Sequence, residues 1–291
     1  PLKRFEDHAS QVFLYRDQCV PEFHSWKQDG WLHIETDYLH LRFKENGRFH
    51  WRDLHITLKQ TGQTWQYSYP DETNLGGTIR TLDSTNGRLS FPDGLVSRSG
   101  WAVVDDSHSL IFDDNEWLQP RETAPEKRDL YFFGYAQDYL SAITDYQLIS
   151  GKPRLLPRWA LGNWWSRYWA YSDQELLNLM DEFNEHKLPL SVCIVDMDWH
   201  VTKTGNSSSG WTGYTWNREL FPEPTQFIEE LHHRRLKTAL NLHPAEGVHP
   251  HEDAYAAMAS ALGPDPSEKK PVFFDIASRT YTEAYFKYLQ H

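Results

Sequence analysis

The sequence has 291 residues and a formal net charge of −12, from 29 Lys and Arg against 41 Asp and Glu. That balance argues against a nucleic-acid footprint or an anionic-membrane binder, and no apolar run approaches the roughly 20 residues that span a bilayer. Only Cys19 and Cys193 are present, which excludes a disulfide framework and a CxxC metal signature, while 13 tryptophans make indole the compositional outlier.

At about 150 residues per domain the length predicts two domains. Pro1-Leu2-Lys3-Arg4-Phe5-Glu6 carries no long apolar segment and no initiator Met. The expectation is therefore a cytoplasmic protein, either processed or cut from something longer.

The first half reads as β-structure. Leu32/Ile34 and Leu39/Leu41/Phe43 alternate with polar residues, and Asn46-Gly47 then gives a hairpin signal, because a type I′ turn needs positive φ at both central positions. Phe49/Trp51 and Leu54/Ile56/Leu58 continue the period of two, Asn86-Gly87 is a second candidate turn, and Trp101–Val104 and Leu110–Phe112 flank polar residues. Many short strands with turn chemistry predict an all-β sandwich over residues 1–135. Residues 136–158 read as a helical and proline-rich linker: a helix from Asp138 to Ser150 ends at Gly151, and Pro153 and Pro157 stiffen the segment after it.

Strands and helices then alternate. Ala160–Trp165 is a candidate strand, and Ser172-Asp173-Gln174-Glu175 is a capping box ahead of Leu176, Leu179, Met180 and Phe183 on one helical face. Leu190–Val195 is the continuous apolar run of a strand buried on both faces. Phe227, Ile228 and Leu231 mark a second helix, Thr238–Leu242 a third strand, and Glu283–Leu289 a last helix, with 244–271 read as a long inserted loop. This order predicts a parallel α/β system. A complete (β/α)8 barrel uses roughly 31 residues per unit, so residues 159–291 hold three to four units. The expected fold class is a β-sandwich followed by an incomplete TIM-type barrel.

The most informative stretch is Val195-Asp196-Met197-Asp198-Trp199-His200, at the C-terminal end of a predicted strand, where α/β folds place ligand sites. If the strand continues, Asp196 and Asp198 share one side with Met197 opposite. Such acids can bind sugar hydroxyls, ligate a metal or exchange a proton, or else merely end a strand. Trp159, Trp164, Trp165 and Trp169, with Trp199, Trp211 and Trp216, offer apolar faces that suit a pyranose, although core packing explains any single one. Asn241-Leu242-His243 closes another strand at the same rim. His243, His249, His251 and Glu252, with His232 and His233 upstream, permit a metal reading, but Pro250 breaks the helical spacing such a site would use.

Taken together these residues resemble glycoside hydrolase family 31, the α-glucosidase and α-xylosidase family. Asn74-Leu75-Gly76-Gly77-Thr78-Ile79-Arg80-Thr81-Leu82-Asp83 is similar to the glycine-rich block of its N-terminal sandwich, in a wording that departs from the commoner Gly-Leu-Gly-Glu. Tyr131-Phe132-Phe133 through Tyr139, with Pro157–Gly162, looks like the entry to the barrel. Ile194–Asp198 resembles its second strand and Leu240-Asn241-Leu242-His243-Pro244 its third, followed by an inserted subdomain.

The resemblance implies a retaining, exo-acting hydrolase of terminal α-linked sugars that uses no metal and no cofactor. It implies Asp196 as an acid hydrogen-bonding sugar hydroxyls in subsite −1 with Met197 beside it, and, more weakly, Trp164, Trp165, Leu242 and His243 as substrate-binding residues. The two catalytic aspartates fall on later strands and are expected beyond residue 291, so this portion alone should be inactive. The expected partners are an oligosaccharide or α-glycoside and the rest of the barrel, packed on residues 159–291. A non-catalytic carbohydrate-binding protein and a metal-dependent hydrolase remain as alternatives.

Overall fold

The computed structural model describes residues 7–79, 81–121, 127–263 and 265–289. Arg80 of the glycine-rich block lies outside them. The chain divides into two compact units, Pro1–Arg154 and Leu155–His291.

In the first unit, β1 (His24–Gln28), β2 (Trp31–Glu35), β3 (Leu39–Lys44), β4 (Leu54–Leu58) and β5 (Thr64–Gln66) form an antiparallel sheet in sequence order. Leu54, Ile56 and Leu58 are buried and alternate with the less buried His55 and Thr57, so the period of two is realised here. The tight two-residue hairpin is not at Asn46-Gly47. It lies at Asp29-Gly30, where φ is 50° and 78° and Gln28 faces Trp31. At the expected turn only Asn46 is left-handed, and residues 45–53 form a longer loop closed by Lys44 N donating to Asp53 O at 2.8 Å. Phe49 and Trp51 therefore sit in a loop rather than a strand.

Two further pairs come next: β6 (Trp101–Asp105), β7 (Ile111–Phe112), β8 (Leu118–Gln119) and β9 (Leu130–Gly134) join as β6 with β9 and β7 with β8. Trp101, Val103 and Phe132 pack on Leu54, Ile56 and Trp65, so the β6–β9 ribbon covers one face of the five-stranded sheet. The expected sandwich is reduced to a sheet faced by a ribbon among the described residues, and no strand flanks Asn86-Gly87 there. The stretch after Asn74 is held instead by that side chain, whose Oδ1 accepts from Gly76 N at 2.9 Å and Gly94 N at 2.7 Å.

Buried Asp106 and Asp129 are gripped by Arg16 and Arg121: Arg16 reaches Asp129 at 2.8 Å, and Arg121 reaches Asp129 and Asp106 at 3.0 Å each. Helix α1 (Tyr139–Ser150) starts on Asp138, which accepts from Ser141 N, and stops at left-handed Gly151. Its Tyr146 packs on Phe13 and Phe133, so it is part of the first unit rather than of a linker.

The second unit contains β10 (Trp164–Trp165), α2 (Asp173–Glu185), β11 (Val192–Val195), α3 (Pro224–His233) and β12 (Lys237–Leu240). The three strands are parallel in the order β10-β11-β12. The capping box is present in full, with Ser172 and Glu175 each satisfying the other's backbone donor. β10 is shorter than expected because Arg158–Leu161 winds into a 3-10 turn. Trp165, Cys193, Val195 and Leu240 face Leu176, Met180, Phe227 and Leu231 of the two helices and form one core. By pleat alternation Trp164, Ile194 and Ala239 stand on the opposite face. Three strands do not close a barrel.

The inserted stretch is a folded element rather than a loop. Val248 bridges Val272, and α4 (Tyr255–Leu262) packs on α5 (Arg279–Tyr288) around Tyr214, Val248, Met258 and Tyr281. Helix α5 therefore belongs with the insertion, and no fourth parallel strand precedes it among the described residues. No helix among these residues is long and apolar enough to cross a membrane.

Candidate functional site

The C-terminal ends of the three parallel strands converge on Asp196. β11 stops at Val195, and Asn241 N donates to Val195 O at 3.0 Å, carrying the ladder one residue past β12. This register aims the Asn241 side chain at Asp196: its Nδ2 donates to Oδ1 at 2.6 Å. Met197 N donates to the same oxygen at 2.7 Å. The hydroxyl of Ser166, just past β10, reaches the other oxygen, Oδ2, at 3.4 Å. The carboxylate is half-buried, with one oxygen filled and the other loosely held.

Asp196 and Asp198 do not share a strand face. The chain turns directly after Val195, and Asp198 takes a left-handed φ of 67°. Asp198 accepts from the Thr202 hydroxyl at 3.2 Å and lines a separate cleft of about 600 Å³ with Asn217 and Asp253. Met197 is buried, so what it brings to the Asp196 carboxylate is its backbone N–H.

The two strand tryptophans part company. Trp164 is 43% exposed beside Trp159, with ring centroids 6.0 Å apart, and its indole N–H donates to Ala160 O. Trp165 packs on Tyr171 and Phe183 in the helix-facing core. Leu242 also packs in the core, between the sheet and the insertion. The His243 ring lies 4.6 Å from that of Trp211, and its carbonyl accepts from the Thr212 hydroxyl. Trp211 in turn neighbours Tyr168 at 6.3 Å, and both rings are exposed. Trp199 is fully buried: its indole N–H donates to Asn241 O at 2.8 Å, and it braces the rim rather than offering a face.

His200 is also fully buried. Its ring lies so close to Gly213 that a Cβ there would come within 2.2 Å of Nδ1. Burial depresses its pKa, because the imidazolium would lose its hydration. Glu246 is held below the usual carboxylate range by the Ser209 hydroxyl, the Ser209 N–H at 3.0 Å and the Ser208 hydroxyl at 3.2 Å, which outweigh its partial burial. Glu252 is buried, accepts from Tyr214 N at 3.2 Å and lies 3.1 Å from His251 Nε2, so it tethers the insertion to the Tyr214 backbone. Among the described residues no group of three or more His, Cys, Asp or Glu is gathered as metal ligands. The Cys193 thiol is pushed up to about 12 by burial and is a core group.

The sequence pattern named Asp196 and His243 but gave no role to Ser166 or Tyr168, and it singled out Asn241 only as one of three rim residues. The spacing of 45 residues between Asn241 and Asp196 carries no local signal, since strand register alone brings them together.

Residues 153–288 match the family model described as the glycosyl hydrolases family 31 TIM-barrel domain. The chain is 30% identical over 176 residues to an alpha-xylosidase of Saccharolobus solfataricus, covering 60% of this chain and 23% of that protein. It is 30% identical over 151 residues to an alpha-glucosidase of the same organism, covering 51% of this chain and 20% of that protein. The matched stretch thus spans about a quarter or less of these relatives. Among solved structures, a family 31 alpha-xylosidase from a soil metagenome, complexed with xylose, aligns with a TM-score of 0.59 at 15% identity, over 98% of this chain and 50% of that one. The family 31 alpha-xylosidase of Xanthomonas citri aligns at 0.56 and 12% identity, over 87% and 47%. At such identities the structures show a shared fold.

Proposed function

We propose, from the match of residues 153–288 to the TIM-barrel domain of glycosyl hydrolase family 31, that this chain is the N-terminal part of a retaining, exo-acting α-glycoside hydrolase of the α-xylosidase or α-glucosidase kind. The observation that carries the reading is Asp196, a carboxylate fixed by Asn241 and the Met197 N–H at the ends of adjoining parallel strands. An acid placed there accepts hydrogen bonds from neutral sugar hydroxyls, and its fixed position makes those bonds geometrically selective. The Trp211–His243–Tyr168 rings supply apolar faces on the same unit.

The reaction itself needs two further carboxylates, about 5–5.5 Å apart, one attacking the anomeric carbon and one protonating the leaving oxygen. We assign these to barrel strands supplied beyond residue 291. The face carrying Trp164, Ile194 and Ala239 is where those strands pack, and residues 1–135 act as a β-rich domain ahead of the barrel.

The test is to assay the full-length protein with aryl α-xylosides and α-glucosides, following the first-formed anomer by proton NMR. The expected result is release of a sugar with retained α configuration. Asp196→Ala should lower kcat/KM on the order of 100-fold, as for loss of a charged hydrogen-bond partner. Residues 1–291 alone should give no turnover. Sugar binding without hydrolysis by the full-length protein, or turnover by 1–291, would overturn the assignment.

A further inference from the structure

Oδ1 of Asp196 already accepts two short hydrogen bonds, from Asn241 Nδ2 at 2.6 Å and Met197 N at 2.7 Å, whereas Oδ2 has only the Ser166 hydroxyl at 3.4 Å. A carboxylate oxygen has about two lone-pair sites, so Oδ1 is saturated and Oδ2 is available. Asn241 is itself fixed on two sides: its N–H completes the ladder to Val195 O at 3.0 Å, and its carbonyl takes the Trp199 indole N–H at 2.8 Å. These two bonds fix the Asn241 backbone, so its side chain leaves from a set point at the strand end, and the amide's partner there is Asp196 Oδ1.

We propose that Asn241 is a positioning residue that locks the Asp196 carboxylate in one orientation, so that a sugar hydroxyl is captured by Oδ2 alone, displacing the weakly held Ser166 hydroxyl. The inference rests on the sugar-binding role of Asp196 proposed above. It names the atom that recognises the sugar and the side chain that presents it. The amide does not touch the sugar, and its effect passes through the carboxylate. The Ser166 hydroxyl holds Oδ2 only weakly, and a bond of 3.4 Å is readily exchanged for one to a sugar hydroxyl.

The experiment uses the full-length protein and an aryl α-glycoside that the wild type hydrolyses. Asn241→Ala removes the shorter of the two donors to Oδ1 and leaves the carboxylate held by the Met197 N–H alone on that side, and kcat/KM should fall by about 10–100-fold, the range for losing a hydrogen bond to a charged group. Asn241→Asp supplies a readout that lost stability alone would not produce. At neutral pH it sets a second carboxylate against Asp196 and should be worse than Asn241→Ala. As the pH falls the two acids come to share one proton, the donor to Oδ1 is restored, and activity relative to wild type at the same pH should recover.

A structure of the wild type with bound sugar serves if a variant fails to fold. A hydroxyl should lie within hydrogen-bond distance of Oδ2 while Asn241 Nδ2 stays on Oδ1. A hydroxyl on Oδ1 with the amide swung aside, an unimpaired Asn241→Ala, or an Asn241→Asp that tracks the wild-type pH profile would each overturn the inference. If the wild type hydrolyses no α-glycoside, it is the proposed function that fails, which is a different result from an active enzyme indifferent to Asn241.

Discussion

His200 shows how burial at one residue turns into a pH dependence of the fold. Its ring is sealed between Gly213 and the edge of Trp199, and its backbone bridges Trp216 to close the 200–216 loop that carries Trp211 and Thr212. Glu252, Asp198 and His243 also act on the imidazole, but desolvation dominates and holds the folded-state pKa below 6.5. In the unfolded chain the imidazole binds a proton at about pH 6.5. Below that pH the unfolded state therefore binds more protons than the native one, and stability falls as pH falls. His40 is shifted in the same direction, also chiefly by burial, so it adds to the slope. The urea midpoint should drop between pH 7 and pH 5, and His200→Gln should flatten part of that slope without removing the share due to His40. An unchanged slope in the variant would show that His200 does not carry it. The sequence made the acids after an apolar run legible, because a strand end is a local feature. It could not show that Trp199 and Trp165 are core groups while Trp211 and Tyr168 are surface ones, since indole faces acquire their roles only from the packing around them.

Elements were legible where one local signal acted unopposed. The capping box at Ser172 and the helical stripe behind it need no distant partner, and α2 forms where the pattern puts it. Hairpins were less legible because two signals competed. Asn46-Gly47 and Asp29-Gly30 both suit positive φ, but only at the second do the flanking strands pair right up to the turn, Gln28 with Trp31. Helix α4 was hidden by its neighbours: Tyr255–Leu262 is rich in good helix formers, yet Pro250 and Pro271 stand on either side and made the stretch read as a loop. The tie between the N-terminal segment and the β6 and β9 strands was invisible for another reason, since Arg16, Asp106, Arg121 and Asp129 meet only in the folded chain. Removing one partner strands a charge where water cannot reach it. Arg121→Met leaves the fully buried Asp106 with Arg16, at 3.7 Å, as its one cation among the described residues, and should cost about 3–5 kcal/mol in urea unfolding. A loss under about 1 kcal/mol would mean that Arg16 re-pairs with both acids.

At the scale of the whole molecule the decisive feature is a parallel sheet whose helix-free face is covered only in part: Val192 on that face is buried, but Trp164 beside it is not. Parallel sheets are ordinarily buried on both faces, because their crossover helices pack on one side and further structure on the other. Here α2 and α3 cover the Cys193 and Val195 side, while Trp164, on the other side, is 43% exposed and the preceding Leu155 and Leu161 are 98% and 73% exposed. Large apolar side chains exposed in this way either have a partner or drive association. If the rest of a barrel is that partner, residues 1–291 alone should bind a dye that reports exposed apolar surface and should self-associate, and the full-length protein should do neither. Ile194 sharpens the test because it lies on the open face and outside the helix-facing core. Ile194→Asp should leave the unfolding temperature of 1–291 nearly unchanged and reduce its dye binding. In the full-length protein the same substitution would bury an unpaired carboxylate and should abolish folding or activity. Equal dye binding by the two proteins, or a full-length Ile194→Asp that folds and hydrolyses normally, would show that this face is not the seam along which the barrel closes.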